Sequence, residues 1–285
     1  MLRKLYELHR LWKNYARRKP NLYHIVSLGG IVFWVFLFKS VVLDANNIPT
    51  GSMIPTLKIG DFLFVNKMRY TIHFPFTDIN LLRIGVPERG DIVTFNPPEE
   101  IKYLEGKRLV KRIVGIPGDV LKVVEDEIMV NGVAYTVESA TDRTILNDLD
   151  YPKSNYSRNS DELREDLKLY KEKIIDPETK KVIKEHYMMK DRTWKDADKR
   201  YIIPEGKYFV MGDNRDNSDD SRSWGMLDIE DIHGKVFMVY FSVNWGSRDE
   251  MSSEPVNPFF SFYRYITGRA ENVAVRWDRV GMRVD

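Results

Sequence analysis

The chain contains no cysteine. Disulfide frameworks, iron–sulfur clusters, thiolate zinc sites and thiol nucleophiles are therefore excluded. Histidine is scarce, and no two of the five histidines stand at the HExxH spacing of zinc hydrolases: His9, His24, His73, His186 and His233. A large excess charge is also lacking, because the formal net charge is only +2. The lack of cysteine and the spacing of the histidines leave few ligands for the metal site of a hydrolase. The small net charge means that nucleic acid is not an expected partner.

The composition is that of a folded protein. The chain has 285 residues, of which 43% are hydrophobic and 30% are charged. This amount of apolar material is enough for a packed core, and global disorder is not expected. At about 150 residues per domain, the length indicates one or two domains.

The first forty residues have an uneven charge distribution. Residues 1–20 carry seven basic side chains and one acidic side chain, and residues 20–38 carry no formal charge. A helix of that uncharged length spans about 28 Å, close to the hydrocarbon core of a bilayer. The sequence therefore predicts a transmembrane helix over 21–43, with the basic segment 1–20 in the cytoplasm and the rest of the chain on the outer side.

Two alternatives compete with a membrane anchor over these residues. A buried core helix is usually amphipathic, whereas residues 25–38 are apolar on every face except for Ser27. A cleaved signal peptide needs small residues at its cleavage site, and residues 39–45 provide a poor one. Both alternatives are therefore less favoured than an anchor.

Beyond the anchor, short runs rich in branched and aromatic residues predict β-strands. Turn signals containing glycine, aspartate or asparagine separate these runs, and Asn131-Gly132 predicts a hairpin turn. The predicted strands cover residues 61–65, 91–95, 109–114, 120–124, 127–130, 201–203, 208–211 and 235–243.

Residues 134–200 differ from the sequence on either side. They carry 15 basic and 15 acidic side chains and have few apolar runs. We interpret this segment as an insertion that is partly helical or loosely ordered and lies outside the core. Its one amphipathic pattern predicts a helix over 161–174.

Two aromatic stretches have two open interpretations. Residues 259–265 contain five aromatic side chains, and residues 70–76 contain three. Both compositions fit packing in a core, and both fit a surface that enters the lipid headgroups.

Three segments carry residues suited to catalysis. Residues 48–56 place Ser52 between prolines on a turn, although a Gly-Ser pair is most often only a turn.

Residues 211–225 are dense in short polar side chains. A calcium loop starting at Asp213 would need glycine at position six and glutamate at position twelve, where this chain has Ser218 and Trp224. A hydrogen-bonded scaffold fits better, in which Arg215 and Arg222 pair with Asp213, Asp216 or Asp220.

The third segment, residues 109–119, contains Lys111 and Arg112 on opposite faces of a predicted strand. Two cations that extend to solvent are the simplest interpretation. If either acts as a base, it is Lys111, because a buried lysine can become neutral near pH 7 whereas arginine stays protonated.

The three segments together resemble the type I signal peptidases, which are membrane-bound serine endopeptidases. The resemblance rests on motifs in the family's order: Ser-Met-Ile-Pro-Thr (52–56), Ile-Gly-Asp (59–61), Arg-Gly-Asp-Ile-Val-Thr-Phe (89–95), Lys-Arg-Ile-Val-Gly-Ile-Pro-Gly-Asp (111–119), Gly-Asp-Asn-Arg-Asp-Asn-Ser (212–218) and Asp-Ser-Arg (220–222). It implies a mostly antiparallel β catalytic domain in two parts, 44–133 and 201–285, interrupted by the insertion 134–200.

The resemblance also implies roles for individual residues. Ser52 corresponds to the nucleophile and Lys111 to the general base. Thr50 would help the backbone N–H of Ser52 to hold the oxyanion, and Ser218 would orient the lysine amine. Three residues correspond to family positions that support the structure of the site: Asp213, Asp220 and Arg222. Four residues correspond to positions that line the pockets for small substrate side chains: Ile48, Met53, Leu57 and Val110. No metal or organic cofactor is implied.

The expected activity is the cleavage of signal peptides from exported preproteins after small residues of the Ala-x-Ala type. The expected partners are preproteins and membrane lipid, with the secretion machinery as a further candidate. The expected location is the cell (inner) membrane, crossed once. An anchored, non-catalytic scaffold is the alternative, although the presence of Ser52, Lys111 and Ser218 argues against it. A histidine triad and a self-cleaving regulator are less favoured, because no histidine stands in a recognisable motif and no DNA-binding helix pair is apparent.

Overall fold

The computed structural model describes residues 7, 10, 20–77, 79–98, 101, 106–124, 127–140, 168–190, 199–244 and 274–284. Most of the predicted insertion and the aromatic residues 259–265 lie outside these ranges. The basic residues before the anchor also lie outside them, with the exception of residue 10.

Helix α1 covers Pro20–Val41. Its segment Tyr23–Val41 has a mean hydropathy of 1.7 and, by length and composition, can cross a membrane. The apolar side chains of this segment are not buried against the rest of the described chain. The helix begins and ends close to the predicted limits of 21 and 43, and Leu43 already opens the first strand.

The described residues beyond α1 are almost all strands and turns, and the one further α-helix among them, α2, is the single turn Ser221–Trp224. The strands are β1 (Leu43–Asn47), β2 (Asp61–Asn66), β3 (Thr71–His73), β4 (Asn80–Arg83), β5 (Ile92–Phe95), β6 (Leu109–Gly115), β7 (Val120–Val124), β8 (Glu127–Val130), β9 (Val133–Ala134), β10 (Thr136–Ser139), β11 (Leu169–Ile175), β12 (Val182–Met189), β13 (Arg200–Ile202), β14 (Lys207–Met211), β15 (Leu227–Asp228), β16 (Ile232–Asn244), β17 (Ala274–Val275) and β18 (Met282–Arg283).

The strand pairs are antiparallel, and the largest sheet has the order β1-β2-β16-β5-β6-β14-β15, with β17 and β18 also paired to β16. Each predicted strand forms within three residues of its predicted limits, and the largest difference is at β16, which begins at Ile232 instead of residue 235. The Asn131-Gly132 hairpin is also present, with positive φ angles of 51° and 79° as such a turn requires. The predicted mostly antiparallel β fold is therefore confirmed.

The sheet order places β6 in the interior of the largest sheet, between β5 and β14. Its residues are buried from Val110 to Gly115, and they enter separate apolar clusters: Val110 in one, Ile113 in a second and Val114 in a third. Because both faces of β6 are covered, a charged side chain on this strand has to be accommodated inside the protein.

The structure corrects the interpretation of residues 134–200. The helix predicted over 161–174 is wrong for its described part. Residues 169–174 lie in β11, the central strand of a three-stranded sheet with β10 and β12, and residues 161–167 lie outside the described residues. From Glu172 to Ile175 buried and half-buried side chains alternate, as in a strand, and hydrogen bonds to β12 outweigh the local helical preference.

The insertion is also not separate from the core. Its Ile174 is fully buried in the cluster around β7 and β8, and Leu169 and Met189 pack with Ile54 beside the predicted nucleophile. The predicted boundary at residue 134 falls within β9, whose partner β8 belongs to the first catalytic part.

The last described residues return to the segment that follows Ser52. Arg279 donates two hydrogen bonds to the buried carboxylate of Asp61 and a third to the carbonyl of Thr56. The Ser242 hydroxyl donates to the same carboxylate. Strand β16 and the chain end therefore fix residues 56–61, which follow the predicted nucleophile.

The variant Arg279→Ala should lower the free energy of unfolding by about 3–5 kcal/mol, because it leaves the Asp61 carboxylate buried without its cation. Denaturant-induced unfolding of the full chain in detergent measures this change. The control is Arg83→Ala, which removes the exposed ion pair with Glu230 and should cost less than about 1 kcal/mol. Equal losses in the two variants would contradict the expectation.

Candidate active site

Ser52 lies in a short 3₁₀ turn, Gly51–Met53, which we call the nucleophile turn. Thr50 precedes it with an extended backbone and is exposed. The turn is held by Asn214, whose backbone N–H donates to the Ser52 carbonyl at 3.0 Å and whose side-chain amide donates to the Gly51 carbonyl at 3.1 Å. The nucleophile turn is therefore attached to the loop that follows β14.

Lys111 lies on β6 and is 3% exposed. Its Nζ is 2.6 Å from Oγ of Ser52, a hydrogen-bond distance. Burial lowers the pKa of Lys111 to about 8, while the carboxylates of Asp220, Asp219 and Asp213 act in the opposite direction. A substantial neutral fraction is therefore available near pH 8, and a neutral amine at this distance can accept the serine proton.

Arg112, the next residue on β6, points to the opposite face and is also buried, with 1% exposure. Its guanidinium donates to both carboxylate oxygens of Asp213, at 2.9 and 2.8 Å, and to the Gly90 carbonyl at 3.0 Å. Because both cations are buried, the interpretation of Lys111 and Arg112 as surface side chains is wrong. The sequence analysis did not identify Arg112 as the partner of Asp213.

Asp213 belongs to residues 212–215, which we call the Asp213 loop. Its carboxylate is fully buried, which by itself would raise its pKa, but the charge of Arg112 together with the hydrogen bonds from Arg112 and Thr56 holds the pKa at about 2. The Thr56 hydroxyl also donates to this carboxylate. Asp213 is therefore an anion that joins β6 to the segment following the nucleophile turn.

Asp220 and Arg222 lie beside Asp213 and support the same loop. The Asp220 carboxylate accepts the Gly212 backbone N–H at 3.0 Å and two hydrogen bonds from the Arg222 guanidinium at 2.8 Å. It also caps α2, and Arg222 donates in turn to the Arg215 carbonyl at 2.6 Å. Burial alone would raise the pKa of Asp220, but the contact with Arg222 lowers it.

Ser218 and the nucleophile turn both lie against Gly212. A Cβ atom at Gly212 would come within 2.3 Å of the Ser218 Oγ and 2.4 Å of the Ser52 carbonyl oxygen. The Ser218 hydroxyl is buried, lies near enough to Asp220 to help lower its pKa, and makes no hydrogen bond of normal geometry in this structure, including to Lys111. Its predicted contact with the lysine amine is therefore not formed here.

The four predicted pocket residues lie together in one apolar cluster: Ile48, Met53, Leu57 and Val110. Their exposures are 4%, 1%, 0% and 8% respectively. In this conformation Ile48 and Val110 are the more accessible pair, whereas Met53 and Leu57 lie beneath the surface.

The sequence analysis missed two site residues because they belong to the charged insertion. Glu172 and His186 are buried next to the Asp213 loop, and Arg215, expected to pair with a nearby aspartate, pairs instead with Glu172. In a segment with equal numbers of acids and bases, no sequence signal distinguishes the buried ion pairs from the solvated ones. Within the described ranges no group of three or more acidic, histidine or cysteine side chains is arranged to hold a metal ion.

Comparison with known proteins gives consistent matches. The model of the family described as signal peptidase, peptidase S26, matches residues 22–241. Signal peptidase I of Pseudomonas fluorescens is 34% identical over 229 residues, which cover 74% of this chain and 69% of that protein. The Pseudomonas aeruginosa protein of the same name is 35% identical over the same length and coverage. Signal peptidase I of Aquifex aeolicus is 31% identical over 263 residues, covering 85% and 91% of the two chains.

The variant Asp219→Asn should lower the pKa of Lys111 below about 8, because the Asp219 carboxylate favours the ammonium form. NMR titration of the chain with ¹³C-labelled lysine side chains measures this pKa. The matched control is Asp216→Asn, which removes another exposed carboxylate of the same region that is not among the main influences on Lys111. An unchanged pKa in Asp219→Asn, or equal shifts in both variants, would contradict the assignment.

Proposed function

This chain belongs to the signal peptidase family, peptidase S26, and on that premise we propose that it cleaves signal peptides from exported preproteins through an acyl-enzyme on Ser52. As a member of this family it is a serine peptidase. The observation that carries the proposed mechanism is the 2.6 Å contact between Nζ of Lys111 and Oγ of Ser52, with the lysine buried.

In the first half of the reaction Lys111 acts as the general base. Its neutral amine accepts the Ser52 proton as Oγ attacks the carbonyl carbon of the residue before the cleavage site. The resulting ammonium then donates that proton to the leaving nitrogen, which releases the mature protein. In the second half Lys111 accepts a proton from water as its oxygen attacks the ester on Ser52. The ammonium then returns the proton to the Ser52 Oγ as the signal peptide leaves.

The negative oxygen that forms in each half needs hydrogen-bond donors. We assign this role to the backbone N–H of Ser52 and the hydroxyl of Thr50, which stands two residues earlier on exposed, extended backbone. Ser218 is assigned to orient Lys111. Its hydroxyl is buried beside the nucleophile turn and makes no hydrogen bond of normal geometry in this structure, which supports this assignment.

The specificity for small residues follows from the cluster beside the nucleophile turn. Ile48 and Val110 would line a shallow apolar surface, and Met53 and Leu57 would form its floor. Because these side chains are buried and close-packed, they leave little room for large substrate side chains. This arrangement fits cleavage after an Ala-x-Ala sequence.

The proposed location is the cell membrane, crossed once by α1, with the basic segment in the cytoplasm and the peptidase on the outer face. Ser52 follows the helix end at Val41 by eleven residues, so the extended chain places it at most about 40 Å from the membrane. A preprotein anchored by its own apolar segment would present its cleavage site at a comparable height. The secretion machinery remains a candidate partner.

Membrane lipid is a proposed partner of the β3–β4 hairpin as well. Its large apolar side chains are between 49% and 62% exposed: Phe74, Phe76, Ile79, Leu81, Leu82, Ile84 and Val86. Leu81 and Leu82 are neighbours on β4, so the hairpin is apolar on both faces. The Phe76 N–H donates to the Ser40 hydroxyl at the end of α1, which holds the hairpin where the helix would leave the bilayer.

Cleavage of a precursor with an Ala-x-Ala site by the detergent-solubilised chain tests the proposal. The chain should cut it, whereas Ser52→Ala, Lys111→Met and Lys111→Arg should lose activity by a factor of at least about 10³, because arginine cannot accept the proton. In the active chain, kcat/KM should fall about tenfold per pH unit below the Lys111 pKa of about 8, where the amine is protonated.

Equal activity in all four proteins would refute the dyad. No activity in any of them would favour the anchored, non-catalytic scaffold. A pH profile that is flat between 6 and 8 would refute Lys111 as the base.

The lack of cysteine allows a clean test of lipid contact. A single cysteine introduced as Leu82→Cys can carry a spin label in the full chain reconstituted into vesicles of phosphatidylethanolamine and phosphatidylglycerol. We expect this label to be more accessible to oxygen than to a water-soluble nickel complex. The control is Ile202→Cys, at an exposed apolar position on β13 (64% exposed), where the label should favour the nickel complex. The same accessibility at both sites would contradict the lipid contact.

A further inference from the structure

The three-stranded sheet of β10–β12 directs two buried side chains at the active site. Glu172 on β11 and His186 on β12 are cross-strand partners, and their exposures are 1% and 6%. Apart from these two, much of the sheet's charge lies at the surface, as in the pair of Lys171 and Glu185. Two ionisable side chains enclosed against the Asp213 loop therefore require a structural reason.

Glu172 forms a two-pronged ion pair with Arg215 of the Asp213 loop. The two guanidinium nitrogens of Arg215 donate to the two carboxylate oxygens at 3.0 and 2.5 Å, and its Nε donates to the Gly212 carbonyl at 3.2 Å. Both side chains are almost fully enclosed. Glu172 therefore fixes the guanidinium that in turn fixes the backbone of Gly212.

His186 lies between this pair and the pair of Arg112 and Asp213. Its Nε2 is 3.3 Å from the Glu172 carboxylate and 3.5 Å from the Asp213 carboxylate. Two arginines and two carboxylates already balance in charge, and burial together with Arg112 lowers the pKa of His186 to about 4. The imidazole is thus neutral at physiological pH and acts as a spacer that sets the distance between the two ion pairs.

The Asp213 loop is bound on two sides. On one side the backbone N–H of Met189, at the end of β12, donates to the Asp213 carbonyl at 2.9 Å. On the other side the N–H of Asn214 donates to the Ser52 carbonyl. The loop lies between the insertion and the nucleophile turn, and Gly212 approaches the Ser52 carbonyl so closely that a side chain at this position would clash with it.

From this arrangement we infer that Glu172 and His186 are positioning residues of the peptidase, which hold the Asp213 loop against the nucleophile turn and so keep Ser52 aligned with Lys111. The inference rests on the proposed function and gives the insertion a role in the reaction. Neither side chain touches the reacting atoms. Their effect should therefore appear in the rate of the chemical step and leave substrate binding nearly unchanged.

The test compares Glu172→Gln with Glu185→Gln in the full chain. Glu185 lies on β12 of the same sheet, and its carboxylate forms an exposed pair with Lys171. On a peptide with an Ala-x-Ala site, Glu172→Gln should lower kcat about 10–100-fold with KM within about twofold, since small misalignments of reacting groups cost this much. Glu185→Gln should leave both constants within about twofold.

Hydrogen–deuterium exchange provides a readout that does not depend on activity. Glu172→Gln should speed exchange in peptides covering residues 50–57 and 212–217, and Glu185→Gln should not. If Glu172→Gln fails to fold, His186→Ala replaces it, because this variant keeps both ion pairs. It should lower kcat about 3–10-fold at unchanged KM, and it should speed exchange in the same peptides.

A normal kcat in Glu172→Gln, or in His186→Ala where that variant replaces it, would overturn the inference. So would unchanged exchange at residues 50–57, or a loss of activity that disappears when the assay temperature is lowered. A wild-type chain that cleaves no precursor peptide would refute the proposed function, and the exchange comparison would then still decide the inference.

Discussion

The hydrogen bonds between Arg112 and Asp213 join the middle of the largest sheet to the Asp213 loop inside the protein. Because neighbouring residues of a strand point in opposite directions, fixing Arg112 on one face of β6 orients Lys111 on the other. A buried ion pair of this kind contributes little net stability, since desolvation offsets most of the attraction. We regard its main effect as geometric, because it sets where Lys111 meets Ser52.

The electrostatics of Lys111 reflect two opposing influences. Burial disfavours its ammonium form, and the neighbouring carboxylates, led by Asp220, favour it. Two of those carboxylates are themselves paired with arginines, Asp213 with Arg112 and Asp220 with Arg222. Pairing with arginine reduces the field that each carboxylate exerts on the lysine, so burial prevails and the pKa remains near 8.

The nucleophile turn depends on contacts with segments that are distant in the chain. Asn214 donates hydrogen bonds to two carbonyls of the turn, and Arg279 donates to the carbonyl of Thr56, which follows the turn. Two residues of the insertion, Glu172 and Met189, bind Arg215 and Asp213 on either side of Asn214. A chain without cysteine has no disulfides to join such segments, and here buried ion pairs and backbone hydrogen bonds do so. Ion pairs between charged side chains need accurate placement to offset desolvation, which fits a site that requires a fixed geometry.

The sequence by itself determined eight of the strands, the apolar helix and the hairpin at Asn131-Gly132, and it gave Ser52 and Lys111 as candidate catalytic residues, because alternation, turn chemistry and short motifs are local properties. Only the tertiary structure decided that Lys111 and Arg112 are both buried, that Asp213 pairs with Arg112, and that Arg215 pairs with Glu172. It also replaced the helix predicted over 161–174 with β11 where the chain is described. In each case the deciding partner lies outside the local segment: the strands β10 and β12 on either side of β11, and a carboxylate brought close by folding for each arginine. Burial and charge pairing are set by these long-range contacts, and no local pattern in the sequence encodes them.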